Sequence, residues 1–168
     1  MRLSNTIVVD GKVWKFGDDI NTDFMAPSFS KGMEWDKAKK TILHIHKGFT
    51  KCVQAGDVIV AGANFGCGSS RQQAPANLKM LGIGCVVAES FGRIFFRNSV
   101  AIALPVLACP GILDAFEEGD ELQLDFENAI VRNKTQGVEL QGQKMPEDLL
   151  NIVRSGGLMA VLKKETAS

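Results

Sequence analysis

The sequence predicts an α/β domain in which strands and helices alternate and part of the sheet is parallel. Residues 57–110 carry the clearest pattern, because short apolar runs alternate there with helical periodicity. The predicted strands are 57–61, 84–88 and 105–109, and the predicted helices are 70–81 and 91–103. Strands joined by single helices form βαβ units with parallel pairing. At 168 residues the chain fits one domain, so we expect a single mixed sheet flanked by helices over residues 1–168.

The segment before residue 57 predicts a hairpin. Two apolar runs, residues 7–9 and 13–16, are separated by Asp10-Gly11, a dipeptide typical of tight β-turns. Residues 28–41 have weak periodicity and many charges, so we expect a mobile loop with at most one helical turn.

The segment after residue 110 predicts two strands and a last helix. Leu122, Leu124 and Phe126 alternate with polar residues, as in a strand with one buried face, and a turn at 127–128 leads into a second strand. Pro146 is a favourable first residue for a helix, which we expect to end near Gly156-Gly157.

Composition excludes several classes of protein. Nineteen basic and nineteen acidic residues balance, so the basic surface of a nucleic-acid-binding protein is not expected. No apolar run reaches the roughly 18 residues of a membrane span, and the first residues lack the apolar segment of a secretory signal. The four cysteines include no C-x-x-C pair, which argues against a metal site held by this chain alone. We expect a cytoplasmic protein with reduced thiols.

The most informative segment is 57–71, where an apolar strand leads through a glycine-rich turn into Ser69, Ser70 and Arg71. A helix predicted to start at residue 70 has backbone N–H groups without partners and a positive dipole end. Together with the guanidinium of Arg71, these groups favour a carboxylate or phosphate ligand. Two alternatives stay open: a turn with no ligand, and a nucleotide site, which the arginine at the third glycine position of a dinucleotide fingerprint disfavours.

Other polar residues are weaker candidates. Asp18, Asp19 and Asp23 lack the spacing of a calcium loop, and helix caps or Asx-turns are an equally good interpretation. Asp23 is the best candidate among them, because a carboxylate near a serine can orient or deprotonate it. His44 and His46 are expected to lie on the surface.

The predicted helix 91–103 carries its own polar residues. Arg93 and Arg97 share one face, and Asn98 lies on the apolar stripe. A solvated face and a hydrogen-bonded helix residue are the simplest interpretations of these positions.

These motifs together resemble a known family. Asn-Phe-Gly-Cys-Gly-Ser-Ser-Arg at 64–71, followed by Gln-Gln-Ala-Pro, is similar to the signature of the swivelling domain of the aconitase superfamily, and most of all to the small subunits of isopropylmalate isomerases. Two further motifs agree, Phe-Gly-Asp-Asp-Ile-Asn-Thr-Asp at 16–23 and Ser-Phe-Gly-Arg-Ile-Phe-Phe-Arg-Asn at 90–98. The resemblance covers nearly the whole chain, in order, and implies a swivelling β/β/α domain.

The resemblance implies a division of labour between two subunits, assembled as a heterodimer or a dimer of heterodimers. A large subunit would hold a [4Fe–4S] cluster, while this chain would supply Ser69 as the base, supported by Asp23. It also implies a substrate-binding set and a set that faces the partner or its cluster. The first set is Gly68, Ser70, Arg71, Lys31 and Thr22; the second is Cys67, Arg93, Arg97 and Asn98.

Departures from the family pattern bear on the substrate. The usual Arg-Glu-His-Ala is Arg-Gln-Gln-Ala at 71–74, and the arginine expected after Pro27 is absent, which leaves Lys31 as the substitute charge. Residues 28–46 form the loop that varies with substrate in this family, and we expect it to be disordered without the partner. The resemblance favours 3-isopropylmalate and leucine biosynthesis. Homoaconitate, methylmalate/citraconate and dimethylmalate stay open, as does a non-catalytic module that binds a carboxylate or phosphate.

Overall fold

Seven strands form one mixed sheet in the computed structural model, which describes residues 6–167. Their order across the sheet is β4-β3-β2-β1-β5-β6-β7. The strands are β1 (Val8–Lys15), β2 (Val58–Ala61), β3 (Val86–Ala88), β4 (Val106–Ala108), β5 (Glu121–Asp125), β6 (Ile130–Asn133) and β7 (Val138–Gln141).

Eight α-helices accompany the sheet over the described residues. They are α1 (Thr22–Met25), α2 (Trp35–Ala38), α3 (Phe49–Cys52), α4 (Gln73–Met80), α5 (Arg93–Ala101), α6 (Ile112–Ala115), α7 (Glu147–Arg154) and α8 (Leu158–Thr166). Two 3₁₀ turns, Ser28–Ser30 and Lys39–Thr41, lie on either side of α2.

The parallel pairing of β2, β3 and β4 confirms the βαβ prediction, and β1 adds a fourth parallel strand that the sequence did not predict. β2 pairs in parallel with β1 on one side and with β3 on the other, and β3 pairs in parallel with β4. All residues of β2 and β3 are buried. Because a parallel sheet is covered on both faces, its strands read as continuous apolar runs, which is why the sequence predicted them well.

The antiparallel half, β1 with β5 to β7, confirms the predicted alternation. Leu122 and Leu124 of β5 are both 0% exposed, while Glu121 is exposed and Gln123 and Asp125 are half-buried. β5 pairs with β6 as expected, and β6 pairs with the edge strand β7, which the sequence did not predict. Since β7 buries none of its four residues, it carries no apolar pattern from which to predict it.

The hairpin predicted at Asp10-Gly11 is wrong. β1 runs straight through this dipeptide, and Gly11 pairs with Leu122 of β5. A Cβ atom on Gly11 would lie 2.1 Å from the carbonyl oxygen of Gly56. The glycine is therefore needed for a close approach to the loop before β2, and not for a turn.

Helix boundaries also differ from the prediction. α4 begins at Gln73 instead of residue 70, so the two serines and Arg71 lie in the loop before it. α7 follows Pro146 as predicted, but a further helix, α8, begins immediately after Gly157.

The segment 28–46 contains more regular structure than predicted. It holds two 3₁₀ turns and α2, and it buries Ile42 and Leu43, which are 1% and 0% exposed. These two side chains attach the end of the segment to the core. The mobility of the rest of the segment stays a prediction.

One of the two histidines expected on the surface is half-buried. His46 packs its ring edge against Trp14 at a centroid distance of 5.3 Å, and its Nε2 lies 3.1 Å from Glu118. His44 is exposed, as predicted.

We predict that Gly11→Ala lowers the free energy of unfolding by about 1–3 kcal/mol, because the new Cβ overpacks the contact between β1 and residue 56. Gly17→Ala is the matched control, since no heavy atom lies within 4 Å of its added Cβ. Urea denaturation of both variants tests this. Equal unfolding midpoints would contradict the close-approach role of Gly11.

Candidate active site

Three loops that leave the carboxyl ends of β1, β2 and β3 meet at one edge of the parallel sheet. Backbone hydrogen bonds join them: Gly66 N–H donates to the Ile20 carbonyl at 2.7 Å, and Phe65 N–H donates to the Ser90 carbonyl at 3.0 Å. Ligands of parallel sheets bind at this edge, so the position itself is that of a binding site.

Two aspartates of the first loop hold the second loop in place. Asp18 accepts a hydrogen bond from Ala63 N–H at 2.7 Å, and Asp19 accepts one from the Asn64 amide at 3.0 Å. Both carboxylates therefore join two loops 45 residues apart in sequence, and neither of these bonds is the local cap or Asx-turn that the sequence suggested.

Ser69 lies at the exposed end of the β2–α4 loop. Its Oγ accepts a hydrogen bond from Arg71 Nε at 3.0 Å and lies 3.4 Å from the hydroxyl of Thr22. A cationic donor in contact with a hydroxyl stabilises the alkoxide form more than the neutral form. This arrangement therefore favours negative charge on Ser69 Oγ.

The guanidinium of Arg71 joins three groups. Besides Ser69, it donates from Nη1 to the Ala26 carbonyl at 2.5 Å and pairs through Nη2 with Asp23 Oδ1 at 2.7 Å. Asp23 therefore reaches Ser69 through the arginine and not directly. The three side chains that the sequence singled out therefore lie together, with the guanidinium of Arg71 between Asp23 and Ser69.

The free helix amides expected beside Ser69 are farther along the chain. α4 starts at Gln73, four residues after the serine, and its dipole acts mainly within the first turn. The nearest positive charge in contact with the hydroxyl is the Arg71 guanidinium.

The remaining predicted substrate-binding residues differ in exposure. Ser70 is exposed, and its hydroxyl forms no hydrogen bond within residues 6–167. Gly68, also exposed, has a φ of +102°, a conformation that glycine adopts without strain. Thr22 is only 1% exposed, and its hydroxyl donates to the Ser69 carbonyl at 3.1 Å, so it faces the loop instead of a ligand.

A cavity of about 730 Å³ opens beside Arg71, between α4 and the segment that contains α2. Lys31 lines it, as the prediction for this residue requires, together with Gln72 and Gln73. Met33 and Trp35 also line it and belong to the predicted specificity loop 28–46, whereas the sequence did not indicate Asn77 and Met80. Only the spacing of Gln73 and Asn77, which hydrogen-bond at 2.8 Å on one helical face, could have pointed to part of this wall.

The residues predicted to face a partner lie on and beside α5. Arg93 and Arg97 are exposed, and neither pairs with an acidic side chain in the part of the chain that the structure describes. Ile94 between them is 48% exposed, whereas Asn98 is half-buried. α5 starts against the site loop, since a Cβ on Gly92 would lie 2.7 Å from the Gly66 carbonyl.

The cysteines are separated from one another and unsuited to bind a metal together. Burial, and to a smaller extent the negative charge of Asp19, raises the pKa of the Cys67 thiol. Burial also raises the pKa of the Cys109 thiol, to about 11. Thiols are metal ligands only when deprotonated. Within residues 6–167 no three His, Cys, Asp or Glu side chains are grouped so that they could hold a metal ion. Over the same residues, every helix is too short or too polar to span a membrane.

Comparison with known proteins gives a consistent result. Residues 23–109 match the model of the aconitase C-terminal domain. The isopropylmalate/citramalate isomerase small subunit of Methanocaldococcus jannaschii is 44% identical, with 95% of this chain and 96% of that protein aligned. The 2,3-dimethylmalate dehydratase small subunit of Eubacterium barkeri is 40% identical, with 89% and 93% aligned.

A solved structure agrees with these relatives. The crystal structure of a 3-isopropylmalate dehydratase (leuD) from Methanocaldococcus jannaschii superimposes with a TM-score of 0.88, at 33% identity, over 96% of each chain. The motif at 64–71, the loops at the edge of the parallel sheet and these similarities agree, and the chain belongs to the aconitase C-terminal domain family.

Proposed function

We propose that this chain is the small subunit of a hydro-lyase that dehydrates and rehydrates a hydroxy dicarboxylic acid, active only in complex with a large subunit. The observation that carries the proposal is the 3.0 Å hydrogen bond from Arg71 Nε to Ser69 Oγ. The family to which the chain belongs, and the dehydratase and isomerase small subunits that resemble it, support the same activity.

In this proposal Ser69 is the base. As an alkoxide its Oγ removes the proton from the carbon next to a substrate carboxylate, and the positive charge of Arg71 stabilises that alkoxide beforehand. Arg71 and the free hydroxyl of Ser70 hold the carboxylate, with the exposed backbone of Gly68 beside them. Asp23 keeps the guanidinium oriented through their 2.7 Å ion pair.

The departing hydroxide needs an electrophile, and residues 6–167 group no side chains that could hold a metal ion for this purpose. A [4Fe–4S] cluster supplies Lewis-acid chemistry of this kind. In the described part of the chain the cysteines form no group that could hold such a cluster, and burial raises the pKa of Cys67 and Cys109, so we assign the cluster to the large subunit. The small-subunit names of the relatives support a heterodimer or a dimer of heterodimers.

The cavity beside Arg71 suits the rest of a hydroxy diacid. Lys31 offers a point charge for the second carboxylate, and Met33, Trp35 and Met80 offer apolar contact for a branched side group. 3-Isopropylmalate, the substrate that names several relatives, fits this description and would place the enzyme in leucine biosynthesis. The relative named for 2,3-dimethylmalate favours a sister dehydratase as the second candidate.

The first experiment is anaerobic co-expression with a large subunit, followed by the absorbance of the unsaturated acid on a panel of hydroxy diacids. We expect turnover of isopropylmalate or of one sister substrate. No turnover with an intact cluster, combined with tight binding of a dicarboxylate by the isolated chain, would instead support the non-catalytic module.

We predict that Ser69→Ala lowers kcat by about 10²–10⁴-fold, the range of general acid–base catalysis, and leaves assembly unchanged. Ser70→Ala is the matched control and is expected to raise KM more than it lowers kcat. Turnover of Ser69→Ala within a few-fold of the parent would contradict the assignment of the base.

We predict that Arg71→Lys lowers kcat/KM by about 10²-fold, because lysine cannot contact Ser69, Asp23 and a carboxylate at once. Steady-state kinetics of the complex measure this loss. Lys79→Arg changes a cation on α4 that does not line the cavity, and it is the control for a changed cation near the site. A fully active Arg71→Lys variant would remove the arginine from the mechanism.

We predict that the double variant Arg93→Glu/Arg97→Glu no longer co-purifies with the large subunit, since it reverses both charges on the exposed face of α5 that we propose binds the partner. Arg132→Glu reverses a half-buried arginine of β6 that pairs with Glu139, in the antiparallel half of the sheet, and is expected to leave assembly intact. Size-exclusion chromatography distinguishes the two results. Normal assembly of the double variant would show that α5 does not face the partner.

A further inference from the structure

The hydroxyl of Thr22 is buried directly under the proposed base. Thr22 is 1% exposed, so no substrate reaches it, and its Oγ1 donates to the Ser69 carbonyl at 3.1 Å. The same oxygen lies 3.4 Å from Ser69 Oγ. A buried hydroxyl is stable only where it is hydrogen-bonded, and every contact of this one is with a single residue.

The backbone of Thr22 holds the other side of the same loop. Its N–H donates to the Cys67 carbonyl at 2.9 Å, and Asn21 pairs with Cys67 in an isolated β-bridge. Thr22 therefore bonds the carbonyls of both neighbours of Gly68. Since Gly68 has a φ of +102° and no side chain to restrict it, these two bonds set the direction in which the chain enters Ser69.

From this geometry we infer that Thr22 is a positioning residue, which fixes Ser69 Oγ relative to Arg71 and to the substrate. The inference rests on the proposed function of Ser69. Thr22 carries no charge and is almost fully buried. It therefore affects the rate through the distance and angle of Ser69 Oγ relative to Arg71 and the substrate, and not through electrostatics. Displacing a reacting group by about 1 Å lowers the rate roughly 10²-fold.

Three variants of the assembled complex test the inference. Thr22→Val keeps the volume of the side chain and removes its hydrogen bonds, and we expect kcat to fall by about 10–10²-fold with KM little changed. Thr22→Ser restores the hydroxyl and is expected to recover most of kcat. Ser99→Ala removes another buried hydroxyl, 0% exposed and bonded to the Phe95 carbonyl at 2.8 Å, and is expected to lower stability without changing kcat.

A double-mutant cycle separates positioning from a general structural effect. If Thr22 acts through the serine, adding Thr22→Val to Ser69→Ala leaves the residual rate unchanged. A further fall of that rate, or a normal kcat in Thr22→Val, would overturn the inference while Ser69 keeps its role. Should Thr22→Val fail to assemble, a low kcat in the assembled Thr22→Ser complex equally overturns it. A normal kcat in Ser69→Ala marks the failure of the proposed function itself.

Discussion

The narrow space through which the β2–α4 loop passes is the constraint on which the site depends. The loop runs between the β1–α1 loop and the start of α5, where only backbone fits. A Cβ on Gly66 would lie 2.2 Å from the ring of Phe95, and one on Gly62 would lie 1.9 Å from a carboxylate oxygen of Asp18. With the loop held on both sides, Ser69 emerges at a fixed place beside α1, where Thr22 and Asp23 lie.

The sequence predicted the parts of the fold that local pattern determines. The parallel strands were clear because burial on both faces makes them continuous apolar runs. The turn prediction at Asp10-Gly11 was wrong because it used only local turn preferences. Glycine is needed at position 11 because the carbonyl oxygen of Gly56, 45 residues away in sequence, would lie 2.1 Å from an added Cβ. α8 was missed because Gly156-Gly157 ends one helix and the next one buries none of its residues fully.

The candidate site was predictable in its membership more than in its contacts. Ser69, Arg71 and Asp23 were recognisable from their motifs. In the structure Arg71 lies between the other two and contacts each of them. The orientation of Thr22 was not predictable, since its side-chain partner is 47 residues away. The wall of the cavity was predictable only in part: Trp35 belongs to the predicted specificity loop 28–46, but only the folded chain places Met80 of α4 opposite that loop.

The three contacts of the Arg71 guanidinium have a further consequence for ligand affinity. A free arginine loses about 1.5–2 kcal/mol of rotamer entropy when a ligand immobilises it. Here Ser69, Asp23 and the Ala26 carbonyl already hold the side chain in one conformation, so folding has ordered it before any ligand arrives. Binding of an anion at this arginine then proceeds without that entropic loss, and the selectivity of the site depends on shape and charge rather than on rearrangement.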